Sequence, residues 1–154
     1  VISRTKVGAL ALSAAALVGL ALNEGYSDRA IIPVPGDVPT IGFGTTDGIK
    51  MGDTITPPQA LARKLADVQK FEGALKRCVT APLHQHEYDA YIRLSYNIGS
   101  SGFCASTLVK KLNAWDYTGA CAEILRWDRF KGQPLRGLTL RRQEEHKLCT
   151  GGEQ

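Results

Sequence analysis

The sequence lacks the residue patterns that most metal, nucleotide and serine-nucleophile chemistries require. Its four cysteines, Cys78, Cys104, Cys121 and Cys149, form no C-x-x-C pair, and no histidine stands at zinc-finger distance from them, so a structural zinc site is not expected. Gly42-Phe43-Gly44 is a turn-like fragment and not a glycine-rich phosphate loop. No serine sits in G-x-S-x-G, the strained turn that exposes a hydrolase nucleophile. Histidine is scarce: His84 and His86 are two apart, which puts them on different faces of a helix, and with His146 they are read as solvated. No metal or organic cofactor is expected. Strong charge of one sign is also missing. A net charge of +4 and a pI near 8.9 suit an anionic polymer or surface, but they do not by themselves argue for nucleic acid, and no nucleic-acid partner is expected.

What is present is an ordinary globular composition. The 154 residues, 44% hydrophobic and 22% charged, fit one domain with two lobes and exclude disorder, collagen-like repeats and a multi-span membrane protein. Charge is absent from residues 7–22, VGALALSAAALVGLAL, which follow Arg4 and Lys6. The run is short for a full transmembrane anchor. It has the basic start and apolar core of a signal peptide, but Leu20-Ala21-Leu22-Asn23-Glu24 is a poor cleavage site. A buried soluble helix is a third reading, since Ala and Leu are good helix formers. A fourth combines them: an uncleaved anchor so diluted by Ala, Gly and Ser that it can leave the bilayer and pack as a protein helix. All but the soluble reading predict export. An even cysteine count in an exported chain suggests two disulfides, with four buried thiols as the alternative.

Residues 24–56 are rich in Gly, Pro, Thr and Asp, and Pro33, Pro35 and Pro39 forbid a long helix. Val38–Phe43 and Ile49–Met51 are expected as short strands around the turn signal Thr46-Asp47-Gly48. Thr56 with Pro57 opens a helix, and Ala60, Leu61, Leu65, Val68, Phe71 and Leu75 recur at helical spacing up to Cys78. A second helix follows Pro82 and is broken at Gly99. Residues 107–113, 117–127 and 138–148 read as further short helices. Trp127, Leu138, Leu140 and Leu148 read as core, and Lys110, Lys111, Arg141 and Arg142 as solvated faces or a basic rim.

Carboxylates are the best chemical candidates. Glu24 stands directly after the apolar run, where an apolar neighbourhood and the C-terminal end of a helix would both raise its pKa. A raised pKa is what a general acid needs at neutral pH, and glycoside cleavage uses such a proton donor with a second polar group across the scissile bond. Asp37 and Thr40 can supply that second side.

Read together, these pieces resemble the phage-type lysozymes, glycoside hydrolase family 24, and within them the signal-arrest-release (SAR) endolysins. The resemblance runs through Asn23-Glu24-Gly25, Thr40-Ile41-Gly42-Phe43-Gly44-Thr45-Thr46, Ile55-Thr56, Ser95-Tyr96-Asn97-Ile98-Gly99, residues 106–113, Arg126-Trp127 and residues 138–142. It implies an α+β, mostly α fold, lysozyme-like, in which a small β-ribbon lobe and a larger helical lobe flank a cleft. It implies Glu24 as proton donor and Thr40 as the residue holding the attacking water. It also implies a muramidase that hydrolyses the MurNAc–GlcNAc β-1,4 bond of peptidoglycan for host cell lysis. The family's Asp normally lies six before the Thr, where this chain has Val34. Asp37, in the turn Pro35-Gly36-Asp37, is taken in its place, ahead of Asp28 and Asp47. Without a carboxylate there, a lytic transglycosylase giving 1,6-anhydro ends gains weight, and a non-catalytic membrane-tethered peptidoglycan-binding module is a further alternative. Ser95 and Asn97 are expected to touch substrate, and Tyr96 to pack.

The same resemblance divides the chain into a releasable N-terminal signal-anchor helix, 1–22, and a catalytic domain, 23–154. It implies export, tethering to the inner membrane, release to the periplasm and functional cooperation with a holin, as a monomer. With no cysteine in the anchor, release without thiol exchange is expected. Sequence order suggests the disulfides Cys104–Cys121 and Cys78–Cys149, and the two other pairings stay open.

Overall fold

A computed structural model describes residues 2–152. The chain is mostly helical and divides into two compact units: the residues up to Ala16 together with those from Phe71 onward, and Leu17–Lys70.

The helical unit is built on α3 (Gln85–Ile98) and α7 (Arg136–Cys149), with the short helices α4 (Ser100–Cys104), α5 (Thr107–Asn113) and α6 (Tyr117–Glu123). Ser106 caps α5, its Oγ accepting from the Val109 amide at 3.3 Å, and Asp116 caps α6 through the Gly119 amide at 2.9 Å, satisfying donors that a helix start leaves open. Tyr88, Tyr91, Ile92, Leu94, Phe103, Leu108 and Leu112 form the core. The helix expected to reach residue 127 stops early: a 3-10 turn at Ile124–Arg126 ends the helical run. Residues 129–134 then carry a small hairpin, β3 (Arg129–Phe130) with β4 (Gln133–Pro134). Of the residues expected in the core around it, Leu148 is buried, Trp127 and Leu138 are half-buried, and Leu140 is exposed.

The disulfides differ from the order-based expectation. Cys78 pairs with Cys104, and Cys121 with Cys149. Proximity in the fold decides this. The break at Gly99 sends α4 back towards the end of α2 (Pro57–Cys78), where the Cα atoms of Cys78 and Cys104 lie 5.6 Å apart. Cys121 on α6 and Cys149 at the end of α7 have Cα atoms 5.7 Å apart, and both separations suit a disulfide. The expected pairs Cys104–Cys121 and Cys78–Cys149 are therefore not formed.

Residues 7–22 are not one helix in this conformation. A 3-10 turn covers Val7–Ala9, extended chain follows, and α1 starts at Ala14 and ends at Glu24. The break has a hydrogen-bond cause. The Leu12 and Ser13 amides, which a continuous helix would bond to its own preceding turn, donate to the carboxylates of Glu72 and Asp89, and the Ser13 hydroxyl accepts from the Ala16 amide. Among the described residues, no helix is long and apolar enough to cross a membrane.

In the other unit, β1 (Ser27–Ile31) pairs antiparallel with β2 (Thr40–Gly42), with Ser27 opposite Gly42 and Ile31 opposite Thr40. The strand expected at Ile49–Met51 does not form. Bonds from Ala30 N to Asp53 O and from Ile55 N to Asp28 O, both 2.9 Å, line β1 with residues 53–55 instead. α2 begins as the sequence predicts, with Thr56 and Gln59 exchanging side-chain-to-amide hydrogen bonds in a capping box.

Candidate active site

α1 delivers Glu24 at its last position, and Gly25, at φ 71°, turns the chain out of the helix in the left-handed conformation that glycine adopts without penalty. β1 leads away and β2 returns. In β2, Ile41 points into the core at 2% exposure, so Thr40 and Gly42 share the opposite face. Ile41 and Thr45 then exchange two backbone hydrogen bonds of 3.0 Å, closing a tight loop over Gly42-Phe43-Gly44. The loop brings Gly44 against the candidate acid. A Cβ at Gly44 would lie 3.0 Å from Glu24 Oε2 and 3.2 Å from its Cγ. The T-x-G-x-G strand and Glu24 thus meet directly.

The loop is held from below by residues that sequence reading missed. Lys64 is fully buried and its Nζ donates to the Phe43 carbonyl at 3.1 Å. The Thr45 hydroxyl donates to Asp67 Oδ2 at 2.8 Å. Gly42 comes so close to α2 that a Cβ there would lie 2.9 Å from the Ala60 Cβ. Tyr26 packs on Phe43 with ring centroids 5.2 Å apart. The signal for Lys64 was its place four residues after Ala60 and four before Val68, in the buried stripe of α2.

This geometry makes Gly44→Ala a sharp probe. At φ 85° an alanine is strained by about 1–2 kcal/mol, and its methyl must displace the Glu24 side chain. The expected result is a modest fall in melting temperature with a loss of kcat of about a hundredfold, since small displacements of reacting groups cost that much. Melting curves and turbidity assays on the same preparation read both.

Glu24 is exposed, so the apolar setting expected for its carboxyl is not part of this conformation. Asp37 is also exposed and belongs to a turn: its amide donates to the Val34 carbonyl at 3.0 Å and its Oδ1 accepts from the Val38 amide at 2.8 Å. The Thr40 hydroxyl donates to the Val38 carbonyl at 3.2 Å. Asp37 and Thr40 are therefore fixed by the same turn, in the same unit as Glu24. Asp28 lies 3.4 Å from Arg29 in an exposed pair. Asp47 is exposed and bonded to Lys70, which holds its carboxyl below the ordinary value.

Ser95 and Asn97 belong to the helical unit. Ser95 is fully buried, so its expected contact with substrate is corrected: α3 turns its hydroxyl into the core. Asn97 is exposed, and its Oδ1 accepts from Arg142 at 2.8 Å. Arg142, read from sequence as solvated, is buried and forked onto Glu145 at 2.7 and 2.8 Å. Burial drives the Glu145 carboxyl above its ordinary value, against the pull of Arg142. His84 and His86 stack with centroids 5.3 Å apart, because His84 precedes α3 and escapes its helical spacing.

The comparisons converge on one family. The description "Phage lysozyme" matches residues 15–145. The chain is 42% identical over 113 residues to an endolysin of Acyrthosiphon pisum secondary endosymbiont phage 1, covering 71% of this chain and 77% of that protein. It is 38% identical over 141 residues to a SAR-endolysin of Pseudomonas phage phiKMV, covering 88% and 86%. A solved endolysin from Escherichia coli O157:H7 phage FAHEc1 superposes with a TM-score of 0.83 at 33% identity, covering 96% of this chain and 99% of that one.

Proposed function

Because the chain belongs to the phage lysozyme family, we propose that Glu24 is the proton donor of its reaction, with Thr40 and Asp37 placing the water. The enzyme is a lysozyme-type glycoside hydrolase, an endolysin that cleaves the MurNAc–GlcNAc β-1,4 bond of peptidoglycan. The observation that carries the assignment is the Glu24 side chain lying across Gly44 of the T-x-G-x-G strand.

In this reading Glu24 protonates the glycosidic oxygen as the C–O bond breaks, and GlcNAc leaves with a free hydroxyl. Positive charge develops at the MurNAc anomeric carbon. The Thr40 hydroxyl has given its own hydrogen to the Val38 carbonyl, so its lone pairs face outward to accept from a water. Asp37, held by the same turn, takes the proton that the water loses as it attacks. Asn97 serves as a substrate contact on the helical unit.

The N-terminal division follows the same reading. Residues 1–22 form a releasable anchor ahead of the catalytic domain, 23–154. The chain is exported, tethered uncleaved to the inner membrane, and released to the periplasm after a partner holin collapses the membrane potential. The name of the phiKMV relative, a SAR-endolysin, supports this, as does the thin apolar content of residues 7–22.

Mass spectrometry of digested murein tests the chemistry. Hydrolysis leaves reducing MurNAc ends and incorporates one oxygen from labelled water. Fragments ending in 1,6-anhydro-MurNAc without label would replace this mechanism with a transglycosylase.

A further inference from the structure

Three acids outside the site have partners in the first thirteen residues. Glu72 on α2 and Glu87 and Asp89 on α3 are all buried, between 2% and 7% exposed. Arg4 lays its guanidinium on Glu87, with Nη2 to Oε1 at 2.8 Å and Nε to Oε2 at 3.0 Å. Its guanidinium carbon sits 3.5 Å from the centroid of the Tyr117 ring. Thr5 and Leu83 exchange two backbone hydrogen bonds of 2.8 Å. The Leu12 amide donates to Glu72 at 2.7 Å. The Ser13 amide and hydroxyl donate to the two oxygens of Asp89 at 3.0 and 2.6 Å. Gln85 closes the set by donating to the Ala11 carbonyl at 2.8 Å.

We infer that Glu72, Glu87 and Asp89 form a receptor site for a short basic peptide strap, and that its occupant is the chain's own Arg4–Ser13. Each carboxylate also has one internal donor: Tyr88 for Glu72, the His84 amide for Glu87 and Gln85 for Asp89. Those donors orient the acids, and the strap supplies the rest. Among the strap groups bonded to these acids, Arg4 brings the full positive charge. A buried carboxylate deprived of its cation is strongly unfavourable, so an uncharged strap would be rejected. The hydrogen bond from Arg4 to Glu87 also holds the guanidinium further above its ordinary pKa.

The consequence rests on the release reading above. Arg4 and Lys6 flank the apolar run, and carrying them through hydrocarbon is costly. A receptor that pairs and stacks Arg4 on the far side makes release hard to reverse. The same site sets where α1 begins, because it takes the Leu12 and Ser13 amides. It thereby fixes the number of helical residues between the strap and Glu24.

Hydrogen exchange and cell fractionation on the full chain separate the two ideas. In purified, released Arg4→Gln, amides of residues 5–13 should exchange at least about tenfold faster than in the parent, less than breaking a fully buried ion pair would give because the Arg4 side chain is 31% exposed. Arg4→Lys should fall between, since it keeps the charge and loses the fork. The double variant Arg4→Gln/Glu87→Gln, which leaves no uncompensated carboxylate under the strap, should exchange more slowly than Arg4→Gln. Unchanged exchange in Arg4→Gln overturns the receptor site, and this arm holds even if Glu87→Gln fails to fold. In cells treated with an uncoupler, Glu87→Gln, whose strap is intact, should raise the membrane-retained to released ratio by about tenfold. Release equal to the parent also overturns the proposal. A parent chain never found with membranes would instead refute the release reading, leaving the exchange result to judge the site.

Discussion

Glu24→Gln should abolish turbidity loss of permeabilised Gram-negative cells while binding to purified murein persists. The amide keeps the shape of the side chain and its contact with Gly44 but has no proton to give. General acid catalysis contributes about 10²–10⁴-fold, and the anomeric bond of a glycan has a poor leaving group without it, so the upper end of that range is expected. Melting temperature should hardly move, because Glu24 is exposed and, among the described residues, no hydrogen bond to its carboxylate holds the fold. Turbidity assays paired with a murein pull-down read both quantities. Full activity in this variant would end the assignment.

Deleting residues 1–22 should leave an unstable and poorly active domain. Removing the strap uncovers Glu72, Glu87 and Asp89, which can then hydrate, so the electrostatic cost is small. The larger loss is apolar. Val7, Ala16, Leu20 and Ala21 are core residues, and full burial of a Val or Leu side chain is worth about 1.5–3 kcal/mol. Val7 and Leu20 alone then account for about 3–6 kcal/mol, a large part of the about 5–15 kcal/mol that holds an ordinary domain together. The helix that carries Glu24 is also lost. Thermal unfolding and lysis assays of the truncated chain should both show large decreases, and a truncated enzyme with parental melting and activity would contradict the refolding of the released segment.

Local features were legible in the sequence. The start of α2 follows from its capping residues, Thr56 with Pro57, because caps act over one turn of chain. Glu24 with the T-x-G-x-G strand came from the family resemblance, since on its own Gly42-Phe43-Gly44 reads as a turn-like fragment. Features that depend on distant packing were not. β1 reads Ser-Asp-Arg-Ala-Ile, with no alternation, and exists because residues 53–55 and β2 supply its backbone partners. Lys64 and Arg142 carry charge, which places such residues outside unless a partner exists; Phe43 and Asn97 lie far along the chain, and Glu145, three residues after Arg142, is itself a charge expected outside. The disulfides required knowing that α4 turns back towards the end of α2. Leu140 shows the opposite failure, an apolar residue on an exposed face.

The central claim is that Glu24 and Thr40 act on one glycosidic bond from two sides. A crystal structure of Glu24→Gln with a bound murein oligosaccharide tests it most directly. The account predicts the substituted amide at position 24 within hydrogen-bond reach of the scissile oxygen, about 2.6–3.2 Å, and the Thr40 hydroxyl facing the MurNAc anomeric carbon through one water. A glycan bound with its scissile bond away from position 24, or with Thr40 on no face of that sugar, would contradict it.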